Sequence, residues 1–149
     1  MAKGTTQREL NGLRVWCTAI EMWRQDADIV LARRGLTWSG FRALLALSDE
    51  PHRSGELRAE VGMTSGGMAK LLSRLEAEGL VRRRRNADED HRIVIVELTA
   101  RGRRLLESAA ADIIAMRDED FEQWGIDEEL RAAVHQAWEQ LQQSVAAEG

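Results

Sequence analysis

The sequence predicts a mainly α-helical fold with one small β-hairpin, and three observations carry that expectation. Two short amphipathic helical segments, separated by a glycine turn, lie in mid-chain. A basic strand, a polar tip and a β-branched strand follow them directly. Longer helical patterns flank this unit on both sides.

The first helix is expected over Arg8–Arg34. Its apolar positions Leu10, Leu13, Cys17, Ile20, Ala27, Val30 and Leu31 recur mostly at three and four, and Trp16 and Trp23 widen the stripe. Gly35 can end this helix and Thr37 can cap the next. The second helix runs through WSGFRALLALSD with Phe41, Leu44, Leu45 and Leu47 toward a core, and Pro51 stops it. GELRAEVG reads as a short third helix closed by Gly62, with Ser54 two residues before Glu56 as an imperfect capping box. Thr64 caps a fourth helix whose apolar side is Met68, Leu71, Leu72 and Leu75, and Gly79 ends it.

Val81–Arg85 and Ile93–Leu98 are strand candidates, the second opening on four consecutive β-branched residues. Asn86–His91 turns the chain over more residues than the tightest hairpins use. Helix returns from Ala100 to Gly125, and Asp127 can cap a last helix. Short helix, turn, short helix and hairpin make a winged helix-turn-helix over residues 36–99. Helices over 8–34 and 101–147 would flank it as a dimerisation layer, within one domain spanning 1–149.

The chain has 149 residues, 44% of them hydrophobic, enough for one real core. Its net charge of −4 is unevenly spread. Residues 52–104 hold 12 Lys+Arg and 8 Asp+Glu, leaving 9 basic and 17 acidic residues elsewhere. A local basic face is what nucleic-acid binding needs, whatever the sign of the whole. No stretch is long or apolar enough to span a membrane, and the start MAKGTTQREL lacks an apolar signal core. A cytoplasmic protein with no membrane partner is therefore expected. The single cysteine, Cys17, cannot form an internal disulfide. His52, His91 and His135 have no metal-ligand spacing, and no nucleotide-binding glycine loop is present. No cofactor, metal or enzyme chemistry is expected.

An α-helix fits the major groove, where every base pair presents its own donor and acceptor pattern. With the apolar side of the fourth helix turned inward, Ser65, Gly66, Gly67, Ala69, Lys70, Ser73 and Arg74 fall on or near its exposed side. Lys70 and Arg74 lie four apart and share a face. Either can meet a guanine edge or a phosphate. The glycine pair weakens the helix by about 1 kcal/mol per residue against alanine, and it strips side chains from the exposed surface. Along the wing, Arg82–Arg85 alternate faces, so about half of the run, Arg84 included, would meet phosphates. Arg92 suits a narrow, electronegative minor groove, and Asp90 can hold it in place or simply pair with it.

LTWSGFRALLALS, LRAEVGMTSGGMAKLLSRLEAEGLVRRR and DEDHRIVIVELTARG together resemble the MarR-type (multiple antibiotic resistance regulator) winged-helix transcriptional regulators. The resemblance extends from about Leu10 to Val145 and includes Asp90, Arg92, Leu98, Thr99 and Gly102 as D-x-R followed by L-T-x-x-G. It implies a homodimer built from the terminal helices, with each protomer reading half of a pseudo-palindromic operator in double-stranded DNA. It places Ser65, Gly67, Lys70 and Arg74 where members contact groove or phosphate, and Arg92 at the minor-groove wing tip. It further implies a repressor that leaves DNA on binding a small aromatic or phenolic ligand. Two departures stand out: Gly66-Gly67 is sparser than the usual polar residues, and His91 replaces the first arginine of D-R-R.

Trp16, Cys17, Ile20, Trp23 and Arg24 on the first helix, with Trp38 and Phe41, provide aromatic walls and a cation for such an effector. His52 can add a polar group or sit in a surface turn. The same tryptophans also suit a core or dimer interface. Two alternatives remain at this stage: redox sensing through Cys17, and a winged-helix module that binds protein without DNA. The arginine-rich wing speaks against the second.

Overall fold

The computed structural model describes residues 5–85, 93–133, 136 and 140. Helix α1 (Gln7–Ala32) starts at a complete capping box that the T-x-x-E spacing already encodes. Thr6 Oγ1 accepts the Glu9 N–H at 3.3 Å, and the Glu9 carboxylate accepts the Thr6 N–H at 2.6 Å. Gly35 follows at φ 72°, as expected of a helix-ending glycine. Only Ala27 and Leu31 of α1 are buried. Leu10, Leu13, Trp16, Cys17 and Ile20, read from their spacing as an apolar stripe, lie exposed in the single chain.

Helix α2 (Trp38–Ala46) is capped by Thr37, whose hydroxyl accepts the Gly40 N–H at 3.1 Å. Two expectations need correction here. The helix ends five residues before Pro51, at a turn anchored by Leu47, whose side chain is buried. Leu45 is exposed, because Gly40, Phe41, Ala43, Leu44 and Leu47 define the buried arc and 100° per residue carries Leu45 just past it.

A short strand β1 (His52–Arg53) then precedes α3 (Ser54–Val61). The N-cap of α3 is Arg53, not Ser54. A guanidinium cannot accept hydrogen bonds, so only the return half of a capping box forms, with Arg53 N–H donating to Glu56 at 2.9 Å. Gly62 at φ 72° ends α3, and Thr64 caps α4 (Ser65–Ala77) by accepting the Gly67 N–H at 3.1 Å. Met68, Leu71, Leu72 and Leu75 are buried, as the spacing predicts.

Strands β2 (Val81–Arg85) and β3 (Val94–Leu98) pair antiparallel in the register Arg82↔Glu97 and Arg84↔Ile95. The sheet has three strands in the order β1-β3-β2, with His52 opposite Val96. A two-residue strand carries no readable period, so β1 escapes a pattern search. Val81 and Val96 are buried, and the alternate positions look outward.

Helix α5 (Ala100–Gln123) starts where the wing ends. Thr99 Oγ1 accepts the Gly102 N–H at 3.0 Å and donates to Gly79 O at 2.7 Å, while Thr99 N–H donates to Leu80 O at 3.1 Å. A Cβ at Gly102 would lie 2.0 Å from Leu80 O and 2.8 Å from Leu98 Cδ1. Arg34 and Asp112 form a two-pronged ion pair at 2.7 and 3.1 Å between the end of α1 and α5. The Arg34 hydrogen bond holds the Asp112 carboxyl below the usual aspartate range.

Contacts divide the chain into two compact units, residues 1–113 and 114–149. In the second, two guanidiniums stand over the Phe121 ring, Arg117 at 5.8 Å and Arg131 at 5.1 Å from its centroid. Asp127 accepts the Leu130 N–H at 2.9 Å and caps the helical residues 128–133; the remainder of the expected last helix falls mostly outside the described residues. No described helix is long and apolar enough to cross a membrane.

Gly102→Ala should destabilise the fold by about 3 kcal/mol, since a backbone carbonyl would have to move. Urea unfolding measures this, and a loss below about 0.5 kcal/mol would show that the close approach relaxes freely.

Candidate nucleic-acid interface

The buried side of α4 leaves Ser65, Gly66, Ala69, Lys70, Ser73 and Arg74 exposed along one continuous surface. Lys70 and Ser73 make no side-chain hydrogen bond or ion pair among the described residues. Arg74 is tethered. Its Nη2 donates to Thr37 Oγ1 at 3.2 Å, and its Nε lies 3.8 Å from Glu78.

The two glycines of α4 differ. A Cβ at Gly67 would meet Thr64 Oγ1 at 3.1 Å and Met63 Cε at 3.2 Å, so packing at the cap explains its size. A Cβ at Gly66 would meet nothing within 4 Å. Packing within the chain therefore does not require glycine at 66.

Position and tilt of the unit depend on residues that spacing alone does not single out. Arg42 of α2 donates to Val61 O at 2.9 Å and to Glu60 O at 2.7 Å, satisfying the free carbonyls at the end of α3. A groove of about 230 Å³ lies between α3, α4 and the sheet. Ser54, Arg58, Ser65, Ala69 and Arg83 are among its walls. Arg58 is exposed and has no acidic partner among the described residues, so it joins Lys70 as a free cation beside α4. A single arginine on a short helix gives no periodic signal in the sequence.

The wing is more heavily paired than its arginine run implies. Arg83 donates to Glu76 of α4 at 2.8 Å, and this bond holds the Glu76 carboxyl below the ordinary glutamate range. Arg82 donates to Glu97 at 2.6 Å, and Arg84 Nε lies 3.7 Å from the same carboxylate. Arg92, with Asp90 and His91, lies outside the described residues.

The residues expected to hold an effector separate into three groups. Trp23, Trp38 and Phe41 come together, with an edge-on contact of 5.5 Å between the tryptophans and 5.9 Å from Trp38 to Phe41. Arg24 stands beside them on α1, bonded to Glu21 at 2.6 Å and Asp28 at 2.7 Å, while Asp28 also accepts the Trp38 N–H at 3.1 Å. The bonds from Arg24 and Gln25 bring the Glu21 carboxyl down to about 2. Trp16, Cys17 and Ile20 lie exposed farther up α1. His52 stands in β1, its Nδ1 3.0 Å from Glu50 O and its Nε2 3.6 Å from Glu60.

Comparison with known proteins agrees with this architecture. A family model described as MarR family matches residues 34–93. An uncharacterized HTH-type transcriptional regulator from Bacillus cereus is 30% identical over 115 residues, covering 74% of this chain and 76% of the relative. AbsC, a MarR family transcriptional regulator from Streptomyces coelicolor, shares the fold with a TM-score of 0.78 at 19% identity, over 98% of this chain and 99% of that one. CouR from Rhodococcus jostii RHA1, solved bound to p-coumaroyl-CoA, aligns with a TM-score of 0.71 at 24% identity over 86% of each chain. The chain belongs to the MarR family of winged-helix, DNA-binding transcriptional regulators, which are transcription factors and not enzymes.

Proposed function

We propose that this protein is a cytoplasmic, homodimeric repressor that reads a pseudo-palindromic operator and releases it on binding a small aromatic or phenolic ligand. The observation that carries the DNA reading is the exposed side of α4. It presents small residues and Lys70, unpaired among the described residues, on a helix whose opposite side is fixed in the core. Ser65, Gly67, Lys70, Ser73 and Arg74 would face the major groove and its phosphates, Arg84 would lie over the backbone, and Arg92 would enter the minor groove.

Support for the dimer comes from α1. Leu10, Leu13, Val15, Trp16, Ile20, Met22 and Ile29 are each about half exposed or more in the single chain. Apolar surface of that extent on one helix calls for a partner, and a second copy of residues 8–34 and 101–147 is the partner the family architecture provides. The Trp23–Trp38–Phe41 cluster supports the ligand reading, and the acyl-CoA in CouR is an aromatic precedent. Trp16, Cys17, Ile20, Arg24 and His52 complete the proposed effector set. Exposure of Cys17 is the one observation that favours the redox alternative.

Sedimentation should give a dimer, and the duplex flanking the gene should bind with a steep salt dependence. A panel of phenols and aromatic carboxylates should contain one that relieves binding in wild type and not in Trp23→Ala or Trp38→Ala of retained fold. Peroxide-driven release that disappears in Cys17→Ser would establish the redox alternative instead. Lys70→Ala should weaken DNA binding. A loss spread evenly over all sequences would identify a phosphate contact, and a loss confined to operator a base contact.

Gly66→Ala separates space from flexibility. It should raise the stability of the free protein by up to about 1 kcal/mol. If DNA backbone or bases approach α4 here, the same change should weaken operator binding at least several-fold. Unchanged affinity would remove Gly66 from the interface.

A further inference from the structure

The wing contains a carboxylate where a DNA-binding surface has least use for one. Glu97 lies directly opposite Arg82 across the β2–β3 ladder, and Arg84 projects from the same face two residues along. Glu97 is recessed, its side chain 18% exposed against arginine side chains that are 73% and 62% exposed. Both arginines share it, Arg82 at 2.6 Å and Arg84 at 3.7 Å. An approaching phosphate therefore meets a group of net charge +1 and not two independent cations. Both arginines are largely exposed, so water screens their attraction to Glu97 and the pairs contribute little to stability.

We propose that Glu97 is an affinity-limiting residue: it withholds charge at the base of the wing and so weakens the phosphate-dependent part of DNA binding. Non-specific complexes depend almost wholly on phosphate contacts, whereas operator complexes add contacts to base edges. Withholding one positive charge from the phosphate-facing surface therefore weakens both complexes by a similar absolute amount, and the non-specific complex, whose total is smaller, is the first to dissociate as salt rises. The inference rests on the DNA-binding reading above and adds a role to a residue outside the expected contact set.

The test compares wild type, Glu97→Gln, and the Glu97→Gln/Arg82→Gln double variant. Each is titrated against an operator duplex selected from random-sequence DNA and against a scrambled duplex, over a series of salt concentrations. Glu97→Gln should steepen the dependence of log K on log salt by about 0.9 for each winged helix engaged. Its advantage on the scrambled duplex should thus grow about 3.5-fold per winged helix as salt falls from about 200 to about 50 mM. The gain should be similar on the operator duplex, leaving the ratio of the two affinities near its wild-type value. The double variant restores the net charge and should return the slope to its wild-type value. Glu97→Thr, a residue suited to strands, makes the same charge change should glutamine disturb the sheet.

An unchanged slope in Glu97→Gln overturns the proposal. So does weaker binding to both duplexes, which would make Glu97 a residue that presents the arginines to DNA. Wild-type protein that binds neither duplex at low salt would overturn the DNA reading itself.

Discussion

A missing carbon atom at position 102 sets the geometry of the DNA-binding unit. The end of α4, the start of β2, the end of β3 and the start of α5 converge on Leu80 and Thr99. They come so near that Leu80 O occupies the place a Cβ would take. The Thr99 hydroxyl works in both directions there, receiving a bond from the first turn of α5 and giving one to the end of α4. Helix α4 and the wing are thereby fixed to one point through backbone atoms, which have far less freedom than side chains. The Arg83–Glu76 bond adds a second tie between wing and helix.

Electrostatics in this region are a matter of pairing more than of counting. Residues 52–104 carry a surplus of basic groups, yet Arg82, Arg83 and Arg84 are each engaged by Glu76 or Glu97. Arg74 rests on a hydroxyl and near Glu78. Lys70 and Arg58, by contrast, carry their charge unpaired among the described residues. Field strength near the interface therefore differs from what a linear count along the sequence implies, and α3 contributes to it alongside the wing.

Most of the helical framework was legible because it follows periodicity and end signals. Thr37, Thr64 and Asp127 cap where the spacing put them, and Gly35, Gly62 and Gly79 end helices at positive φ. What the sequence hid depends on tertiary context. Arg53 in place of Ser54 at the cap of α3, the strand at His52–Arg53 and the early end of α2 all follow from pairing or burial by residues distant in sequence. Arg42, which spacing along α2 does not single out, anchors the end of α3. Spacing along α1 reported an apolar stripe correctly but gave no sign that most of it lies outside the core of one chain.

Along α4, the positions that secure the helix and the positions that face outward are largely different residues. Met68, Leu71, Leu72 and Leu75, with the Thr64 cap, maintain it; Ser65, Gly66, Ala69, Lys70 and Ser73 do not take part. Outward residues of α4 can thus be exchanged at little cost to the fold. Gly67, closed in by Thr64 and Met63, and Arg74, held by Thr37, belong both to the proposed contact set and to the scaffold. On the proposed DNA reading, those two positions limit how far recognition can diverge before the scaffold must change with it.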